Sequence, residues 1–301
     1  MPAGFRVRLP VVVSTVLAAA ISVSCASVTS GQRSSAVARV TTGQRPAVVG
    51  SSPSPSHRVA SAGAHPGTVS SQTVRSAAAY AHARGFDVGI CVIDLRTGNR
   101  WSANGDALFA TESVAKLFIA ARLLLERAMT ATTAGDIARM ITRSDDELAN
   151  RLAPLVGNDA VMPWLMDHYR LPHLGTPPTR FGWWGLNHVR PDQLARLLVD
   201  LHQDPAVWPR LGSAMRHASR YAADGYDQSF GLRQVDRNAA VKQGWGYDFS
   251  MAGAPAQLNT TGFVDSGRYA VVIMVRGRHD TFFDQIAEMV TDVTKRVFSY
   301  A

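Results

Sequence analysis

Lysine, cysteine and, over the first 68 residues, acidic side chains are scarce in this chain. Its 301 residues contain three lysines and two cysteines, against 28 arginines. Two cysteines exclude a scaffold built on several disulfides and a metal site built on a cysteine cluster. A hydrophobic content of 46% is enough to bury a sizeable core, so the composition predicts a globular protein.

The formal net charge of +8 is concentrated at the start of the chain. Six arginines and no acidic residue occur up to Thr68, and 25 basic and 23 acidic residues follow it. The remainder is therefore nearly neutral, and it has no basic stripe with interleaved aromatic residues. We expect no nucleic-acid partner. The six arginines are Arg6, Arg8, Arg33, Arg39, Arg45 and Arg58.

Residues 1–25 have the order of an export signal. Arg6 and Arg8 precede an apolar run over residues 9–23, and small residues follow around Cys25. The run has about fifteen residues, whereas a membrane span needs roughly 20, so we expect a removed signal or a lipid-anchored start. No other segment of the sequence is long and apolar enough to span a bilayer.

Cys25 ends the apolar run, where a lipoprotein signal places its acylated cysteine. Ser22 stands where that motif normally has leucine, so ordinary cleavage after Ala26 is the alternative. Lipidation of Cys25 would attach the chain to a membrane. Both interpretations predict an exported protein, either a cell-envelope lipoprotein or a secreted one.

Composition divides the rest of the chain into a linker and one domain. Residues 26–68 are rich in Ser, Ala, Thr, Gly and Pro without apolar periodicity, which predicts a flexible tether. Residues 69–301 predict an α/β (α+β) domain, because strand patterns at both ends flank a helical middle at about 113–237. One sheet must therefore combine both ends of the chain. Strands are predicted over 86–95, 100–103, 239–244, 262–264 and 269–275, and the clearest helices over 73–84, 113–128, 136–141, 146–156, 160–169, 191–202 and 280–299.

Several common catalytic patterns are missing. The chain has no Gly-x-Ser-x-Gly elbow, which argues against an α/β-hydrolase triad. Its nine histidines form no His-Glu-x-x-His pattern, so we expect neither a catalytic metal nor another cofactor. Cys91 lies in an apolar strand pattern and is expected to be a buried free thiol.

Ser113 and Lys116 form a Ser-x-x-Lys motif at the predicted start of a strongly apolar helix. Three residues of helix bring both side chains to one face. Serine needs a base beside it, and a lysine in apolar surroundings has a depressed pKa and can take the serine proton. Taken alone, the motif is more often a serine cap at the start of a surface helix, but in a chain with three lysines a lysine at this position is informative.

Two further motifs follow in order. Ser144-Asp145-Asp146 precedes a predicted helix, and Lys242-Gln243-Gly244 ends a predicted strand. Taken singly, the first is compatible with an ordinary helix cap and the second with a lysine at a strand edge. Together with Ser113 and Lys116, their order resembles the Ser-x-x-Lys, Ser-Asp-Asn and Lys-Thr-Gly motifs of class A β-lactamases and penicillin-recognising serine hydrolases. The resemblance covers about 230 residues and implies a β-lactamase/transpeptidase-like fold.

The resemblance also implies roles for individual residues. Ser113 would attack an acyl carbonyl, Lys116 would activate it, and Ser144 would relay a proton to the leaving nitrogen. Lys242 would bind a substrate carboxylate and support Ser144. The backbone N–H groups of Ser113 and Trp245 would form the oxyanion hole. The implied substrate-binding residues are Asp146, Asn187, Gln243, Gly244 and Trp245.

Departures from the family pattern bear on which reaction occurs. Asp146 replaces an asparagine whose amide both donates and accepts, and an ionised carboxylate only accepts. Gln243 replaces the threonine of the third motif. The stretch from Ser113 to Ser144 is shorter than is usual in the family, which predicts a reshaped flank of the cleft.

The sharpest departure lies in the loop that carries the deacylating acid of class A β-lactamases. The family reads Arg-x-Glu-x-x-Leu-Asn there, and this chain has Arg-Phe-Gly-Trp-Trp-Gly-Leu-Asn over 180–187. Arg180 and Leu186-Asn187 keep the frame, but no carboxylate lies between them. A hydrolytic water needs a base within hydrogen-bond reach, so an acyl-enzyme should form and persist. Trp183 and Trp184 are expected to build a hydrophobic wall.

Three functions are compatible with these residues. The first is an exported serine hydrolase that forms an acyl-enzyme at Ser113, is a poor β-lactamase, and acts on a cell-envelope peptide, an ester or a β-lactam-like molecule. The second is a catalytically silent binding or scaffolding lipoprotein that retains the fold, which Asp146 and Gln243 favour. The third, a fully competent β-lactamase, requires another base in place of the missing glutamate. A small-molecule or peptidoglycan-like partner and a monomeric state are expected.

Overall fold

The computed structural model describes residues 68–126, 130–178, 180, 182–278 and 280–299. The predicted export signal, Cys25 and nearly all of the predicted linker lie outside these residues. Within them, no helix is long and apolar enough to cross a membrane.

One antiparallel sheet combines both ends of the domain. Its strand order is β2-β1-β8-β7-β6, so the two strands near the start of the domain join the three near its end. This confirms the predicted sheet and fold class. Short strands β3, β5 and β4 form a separate ladder in that order. The strands are β1 Asp87–Asp94, β2 Arg100–Ala103, β3 Phe109–Ala110, β4 Gly175–Thr176, β5 His188–Val189, β6 Ala240–Tyr247, β7 Ala256–Val264 and β8 Tyr269–Arg276.

Helices cover both faces of the large sheet and fill the middle of the chain. They are α1 Ser71–His82, α2 Lys116–Glu126, α3 Ala131–Thr142, α4 Asp146–Leu152, α5 Val161–His168, α6 Pro191–Gln203, α7 Trp208–Arg216, α8 Leu232–Val235 and α9 Phe283–Val297. Helices α1 and α9 pack on each other and on one face, and α6 packs on β1 and β8.

Strand alternation divides the core into two layers. On β8, Val271, Ile273 and Val275 belong to the layer under α1 and α9, whereas Val272 and Met274 belong to the layer shared with the helical middle. A strand buried on both faces has a continuous apolar sequence, which is why β8 was predicted almost to its ends. Cys91 is buried and makes no disulfide, as expected.

Strand β7 extends six residues further toward the start of the chain than the predicted strand over 262–264. The additional part contains Gln257, Asn259, Thr260 and Thr261, all fully buried. Buried polar residues break the apolar pattern on which strand prediction depends. These residues form hydrogen bonds around the candidate site. Tertiary contacts therefore stabilise them in a strand that the sequence pattern does not predict.

Candidate active site

Ser113 and Lys116 lie together where α2 begins. The chain enters the helix through a short 3₁₀ turn, Glu112–Ala115, and Lys116 Nζ lies 2.5 Å from Ser113 Oγ. The Lys116 side chain is fully buried because α2 is apolar on nearly every side. Burial lowers the pKa of Lys116 from its usual value, which increases the fraction of amine able to take a proton.

Asp146 approaches the same amine from the first turn of α4. Its Oδ1 lies 2.6 Å from Lys116 Nζ, while its own side chain is 64% exposed. This ion pair opposes the effect of burial on the Lys116 pKa. The ring of Trp184 also lies against the amine, with Nζ 4.5 Å from the ring centroid. The lysine therefore contacts the candidate nucleophile, a carboxylate and an aromatic face.

Ser144 and Lys242 form the second half of the cluster. Lys242 Nζ donates to Ser144 Oγ at 2.8 Å and to the carbonyl oxygen of Gln243 at 2.7 Å. Burial, and then the charge of Lys116, place the pKa of Lys242 well below its usual value. Ser144 has a positive φ of 50°, a strained conformation for serine that is typical of functional sites. All four predicted catalytic side chains thus converge from separate elements.

Strand β6 presents a backbone donor to the Glu112–Ala115 turn. It is an edge strand, and it packs against the Glu112–Ala115 turn. Just beyond its end, Asp248 N–H donates to the Pro255 carbonyl, and hydrogen bonding to an antiparallel partner alternates with every second residue. The Trp245 N–H therefore points away from β7, toward that turn. Glycine is needed at position 244, because a Cβ there would lie 2.9 Å from the Thr111 carbonyl oxygen.

Gln243 lies on the strand face opposite Lys242, because side chains alternate along β6. It is fully buried, and its amide donates to the carbonyl oxygens of Gln228 at 3.2 Å and Phe230 at 2.7 Å. It therefore stabilises the segment that contains Gln228 and Phe230, and it does not line the cleft. Trp245 also has a partner outside the cleft, since its indole N–H donates to Asp224 at 3.1 Å.

Residues 182–187, here called the tryptophan loop, close the site on the other side. Asn187 holds this loop in place. Its side-chain amide donates to the Trp184 backbone carbonyl at 2.5 Å, and its backbone carbonyl accepts from Thr111 N–H at 2.7 Å. The Trp184 indole donates to Asn150 at 2.9 Å. Trp183 packs edge-on against Phe249 with ring centroids 6.1 Å apart. The Trp183 and Trp184 rings form a wall of the cleft, as the sequence predicted.

Glu112, immediately before the nucleophile, was not predicted as a site residue. Its φ is 48°, its side chain is 8% exposed, and among the described residues its Oε1 has no hydrogen-bond partner. Burial, and then the charge of Asp248, raise the pKa of Glu112 to about 8. A Cβ on Gly246 would overlap its carboxyl group. The sequence feature that could have identified Glu112 is an acidic residue in a largely apolar segment, next to a candidate nucleophile.

A cleft of about 520 Å³ opens beside Ser113. Its walls come from the turn before α2, the tryptophan loop, the end of β6 and the start of α9. No cluster of three or more His, Cys, Asp or Glu side chains able to hold a metal occurs among the described residues. The lining residues are Glu112, Ser113, Asp146, Gly182, Trp183, Trp184, Gly185, Leu186, Trp245, Gly246, Tyr247, Phe249 and Phe283.

Comparisons with known proteins agree with this architecture. No family model matches the chain. It is 32% identical over 185 residues to "Putative lipoprotein LppW" of Mycobacterium tuberculosis and of Mycobacterium bovis, a match that covers 57% of this chain and 58% of the relative. The chain thus spans less than two thirds of the length of these relatives.

Solved structures share the fold at low sequence identity. The TLA-1 extended-spectrum β-lactamase matches with a TM-score of 0.61 and 13% identity, over 77% of this chain and 99% of its own. A class A β-lactamase of Bacteroides cellulosilyticus matches with a TM-score of 0.58 and 16% identity, over 76% and 97%. PBP-A matches with a TM-score of 0.58 and 16% identity, over 78% and 97%. The chain therefore has the fold of class A β-lactamases and PBP-A, and this confirms at the level of the fold the resemblance predicted from its motifs.

Proposed function

We propose that this chain is a serine hydrolase of the β-lactamase fold that forms an acyl-enzyme at Ser113. The observation that carries the proposal is the 2.5 Å contact between Ser113 Oγ and the buried amine of Lys116. A hydroxyl beside a desolvated lysine is an activated nucleophile, and it opens here onto a cleft large enough for a small molecule.

The same contacts support an acylation step. Ser113 Oγ attacks the carbonyl carbon of the substrate while the neutral form of Lys116 takes the hydroxyl proton. The negative charge on the carbonyl oxygen would be stabilised by the N–H groups of Ser113 and Trp245. Ser144 passes a proton to the leaving group, and Lys242 Nζ, which donates to Ser144 Oγ at 2.8 Å, stabilises the charge on Ser144 during that transfer.

Deacylation is expected to be slow. A class A β-lactamase has a glutamate in the loop that activates water, and here the Trp184 ring occupies the side of Lys116 that faces the loop. An apolar ring cannot take a proton from water. We therefore propose a persistent acyl-enzyme and weak β-lactamase activity.

Covalent labelling tests this proposal. The full chain would be incubated with a fluorophosphonate and with a fluorescent penicillin, and the modified peptide identified by mass spectrometry. We expect an adduct on Ser113 from at least one probe and none in Ser113→Ala. Ser250→Ala is the matched control, because Ser250 also lies near the cleft but is hydrogen-bonded to Asp248. Absence of any adduct on Ser113 in a folded protein would overturn the proposal.

A silent binding protein is the second candidate, and the Lys116–Asp146 ion pair favours it. A lysine held 2.6 Å from a carboxylate is stabilised in its charged form, and a charged lysine is not a base. Complementation of a deletion strain separates the two functions. Full rescue by Ser113→Ala would support the silent protein, whereas loss of rescue supports the enzyme.

We also propose that the protein acts at the cell envelope. Residues 1–25 would direct export, Cys25 would carry the lipid, and residues 26–68 would tether the domain over 69–301. The support is the order of charged, apolar and small residues before Cys25, together with the lipoprotein name of the mycobacterial relative.

A further inference from the structure

We infer that the cleft accepts uncharged acyl donors with a large apolar group and rejects donors that carry a carboxylate beside the reacting carbonyl. The inference rests on the proposed function, because it names the substrate class of the same site. It departs from the carboxylate-binding role that the sequence motif implied for Lys242.

The walls of the cleft are aromatic and partly exposed. Tyr247 lies 4.9 Å from the Phe283 ring and 6.1 Å from the Phe249 ring, measured between centroids. Phe249 remains 63% exposed and Tyr247 44% exposed. Trp183, Trp184 and Trp245 extend the surface around Ser113. An aromatic or alkyl group of a ligand would bury apolar area here that is otherwise left in water.

The charged groups of the cleft are acids. Among the described residues that line it, Glu112 and Asp146 are the only acidic or basic side chains. Burial keeps Glu112 in its neutral form around neutral pH. The Asp146 carboxylate is ion-paired with the buried amine of Lys116, so the lining carries no net positive charge. A carboxylate on the ligand would lose water without meeting a free cation in the lining, whereas its neutral ester has no charge to desolvate.

The nearby basic side chains lie outside the cleft lining. Lys116 is fully buried between Ser113 and Asp146, and Lys242 is 1% exposed with Ser144 and the Gln243 carbonyl as its partners. Arg180 is exposed, and its guanidinium stacks over the Trp183 ring at 4.5 Å.

The adjoining cavity also offers no free positive site. It contains Arg139, which is ion-paired with Asp145 at 3.0 Å. Three further acids, Asp146, Glu147 and Asp224, line that cavity. The surroundings of Ser113 therefore repel an anionic ligand from this side as well.

The reaction with a neutral ester balances within the site. A bond forms between Ser113 Oγ and the acyl carbon, and the bond from that carbon to the alkoxy oxygen breaks. The proton released by Ser113 reaches the alkoxy oxygen through Lys116 and Ser144, and a neutral alcohol leaves. No oxidant, metal or other reactant is needed.

A matched pair of probes tests the charge preference. The full chain would be incubated with benzylpenicillin and with benzylpenicillin methyl ester, which differ in the carboxylate, and acylation of Ser113 followed by intact-protein mass spectrometry. We expect the methyl ester to react about tenfold faster, a change that corresponds to about 1.4 kcal/mol. Equal or faster reaction of the free acid would overturn the inference.

A second measurement tests the aromatic wall. The ratio of kcat/KM for p-nitrophenyl phenylacetate to that for p-nitrophenyl acetate would be determined, each corrected for spontaneous hydrolysis. We expect Phe249→Ala to lower this ratio about three- to tenfold. The matched control is Phe282→Ala, which removes a ring that is 73% exposed and outside the cleft lining. An unchanged ratio in Phe249→Ala, or an equal fall in Phe282→Ala, would overturn the inference.

The fluorophosphonate adduct distinguishes failure of the inference from failure of the proposed function. Labelling of Ser113 by the fluorophosphonate together with faster reaction of the free acid overturns only the substrate class. No adduct on Ser113 from the fluorophosphonate or from either form of penicillin overturns both.

Discussion

At the scale of single residues, Glu112 combines burial, strain and a titratable group directly beside the nucleophile. Its φ of 48° is unfavourable for a residue with a side chain; its Cβ packs over Gly244 of β6 and its carboxyl group over Gly246. A neutral carboxyl fits this space better than a charged one because burial, and then the charges of Asp248 and Asp146, disfavour its ionisation. The residue therefore links the stability of the site to pH.

Glu112→Gln is expected to flatten the pH dependence of stability. The pKa of Glu112 rises from an ordinary 4.5 to about 8, so the folded protein binds more protons than the unfolded chain between these values. The free energy of unfolding therefore falls as pH rises through this window, by several kcal/mol at about 1.4 kcal/mol per pKa unit. Urea unfolding of both proteins at about pH 5 and pH 8.5 would measure the difference.

The comparison isolates Glu112 because His202, Lys116 and Lys242, whose pKa values are also shifted, are present in both proteins. The variant should gain stability relative to wild type as pH rises. A constant difference between the two proteins at both pH values would contradict the assignment.

Lys116→Met is expected to slow acylation of Ser113 by about 10²- to 10⁴-fold, because it removes the base that contacts the nucleophile. The rate of fluorophosphonate labelling would measure this, with a thermal melt to confirm folding. Lys295→Met is the matched control, because Lys295 is the third lysine of the chain and lies on α9 outside the cleft lining. Equal labelling rates in wild type and the Lys116 variant would show that another group activates Ser113.

At the scale of elements, the proposed slow deacylation depends on the tryptophan loop. It is held by Asn187 and by the hydrogen bond from Thr111 Oγ1 to the Gly185 carbonyl, so the loop keeps its place against the nucleophile although its acid is missing. The loop thus retains a structural function without the group that activates water.

Trp184→Glu is expected to shorten the lifetime of the acyl-enzyme at least about tenfold, because it supplies a carboxylate next to Lys116 that can activate water. The phenylacetyl-enzyme formed from p-nitrophenyl phenylacetate would be followed by intact-protein mass spectrometry. Trp183→Glu is the matched control, since that ring packs on Phe249 and Arg180 and not on Lys116. Equal lifetimes in both variants would rule out the position of Trp184 beside Lys116 as the cause of slow deacylation.

At the scale of the whole molecule, the basic start of the chain and its nearly neutral domain suit a protein tethered at a membrane. Cys25→Ala is expected to move the protein from the detergent phase to the aqueous phase in a detergent-partition experiment, because a lipid chain gains about 0.8 kcal/mol per buried CH₂. Cys91→Ala is the control, because this thiol is buried in the sheet. Detergent-phase partition of the Cys25 variant would exclude this anchor.

How much could be predicted from the sequence differs between elements. Strand β8 and helix α2 have continuous apolar sequences, and both were predicted within a few residues. Strand β7 was mostly missed because Gln257 and Asn259 are polar yet buried, where they donate to the backbone before Ser113. The two-residue strands β3, β4 and β5 are too short to produce a periodic pattern.

The sequence by itself determined the fold and the identity of four converging side chains, because motif order, lysine scarcity and apolar periodicity can all be read along the chain. The tertiary structure decided which groups each of them contacts. It placed Gln243 on the face of β6 opposite Lys242, Asp146 and Trp184 against Lys116, and Glu112 in a buried position. These outcomes depend on packing between residues far apart in the chain, and packing sets the burial that controls pKa and charge.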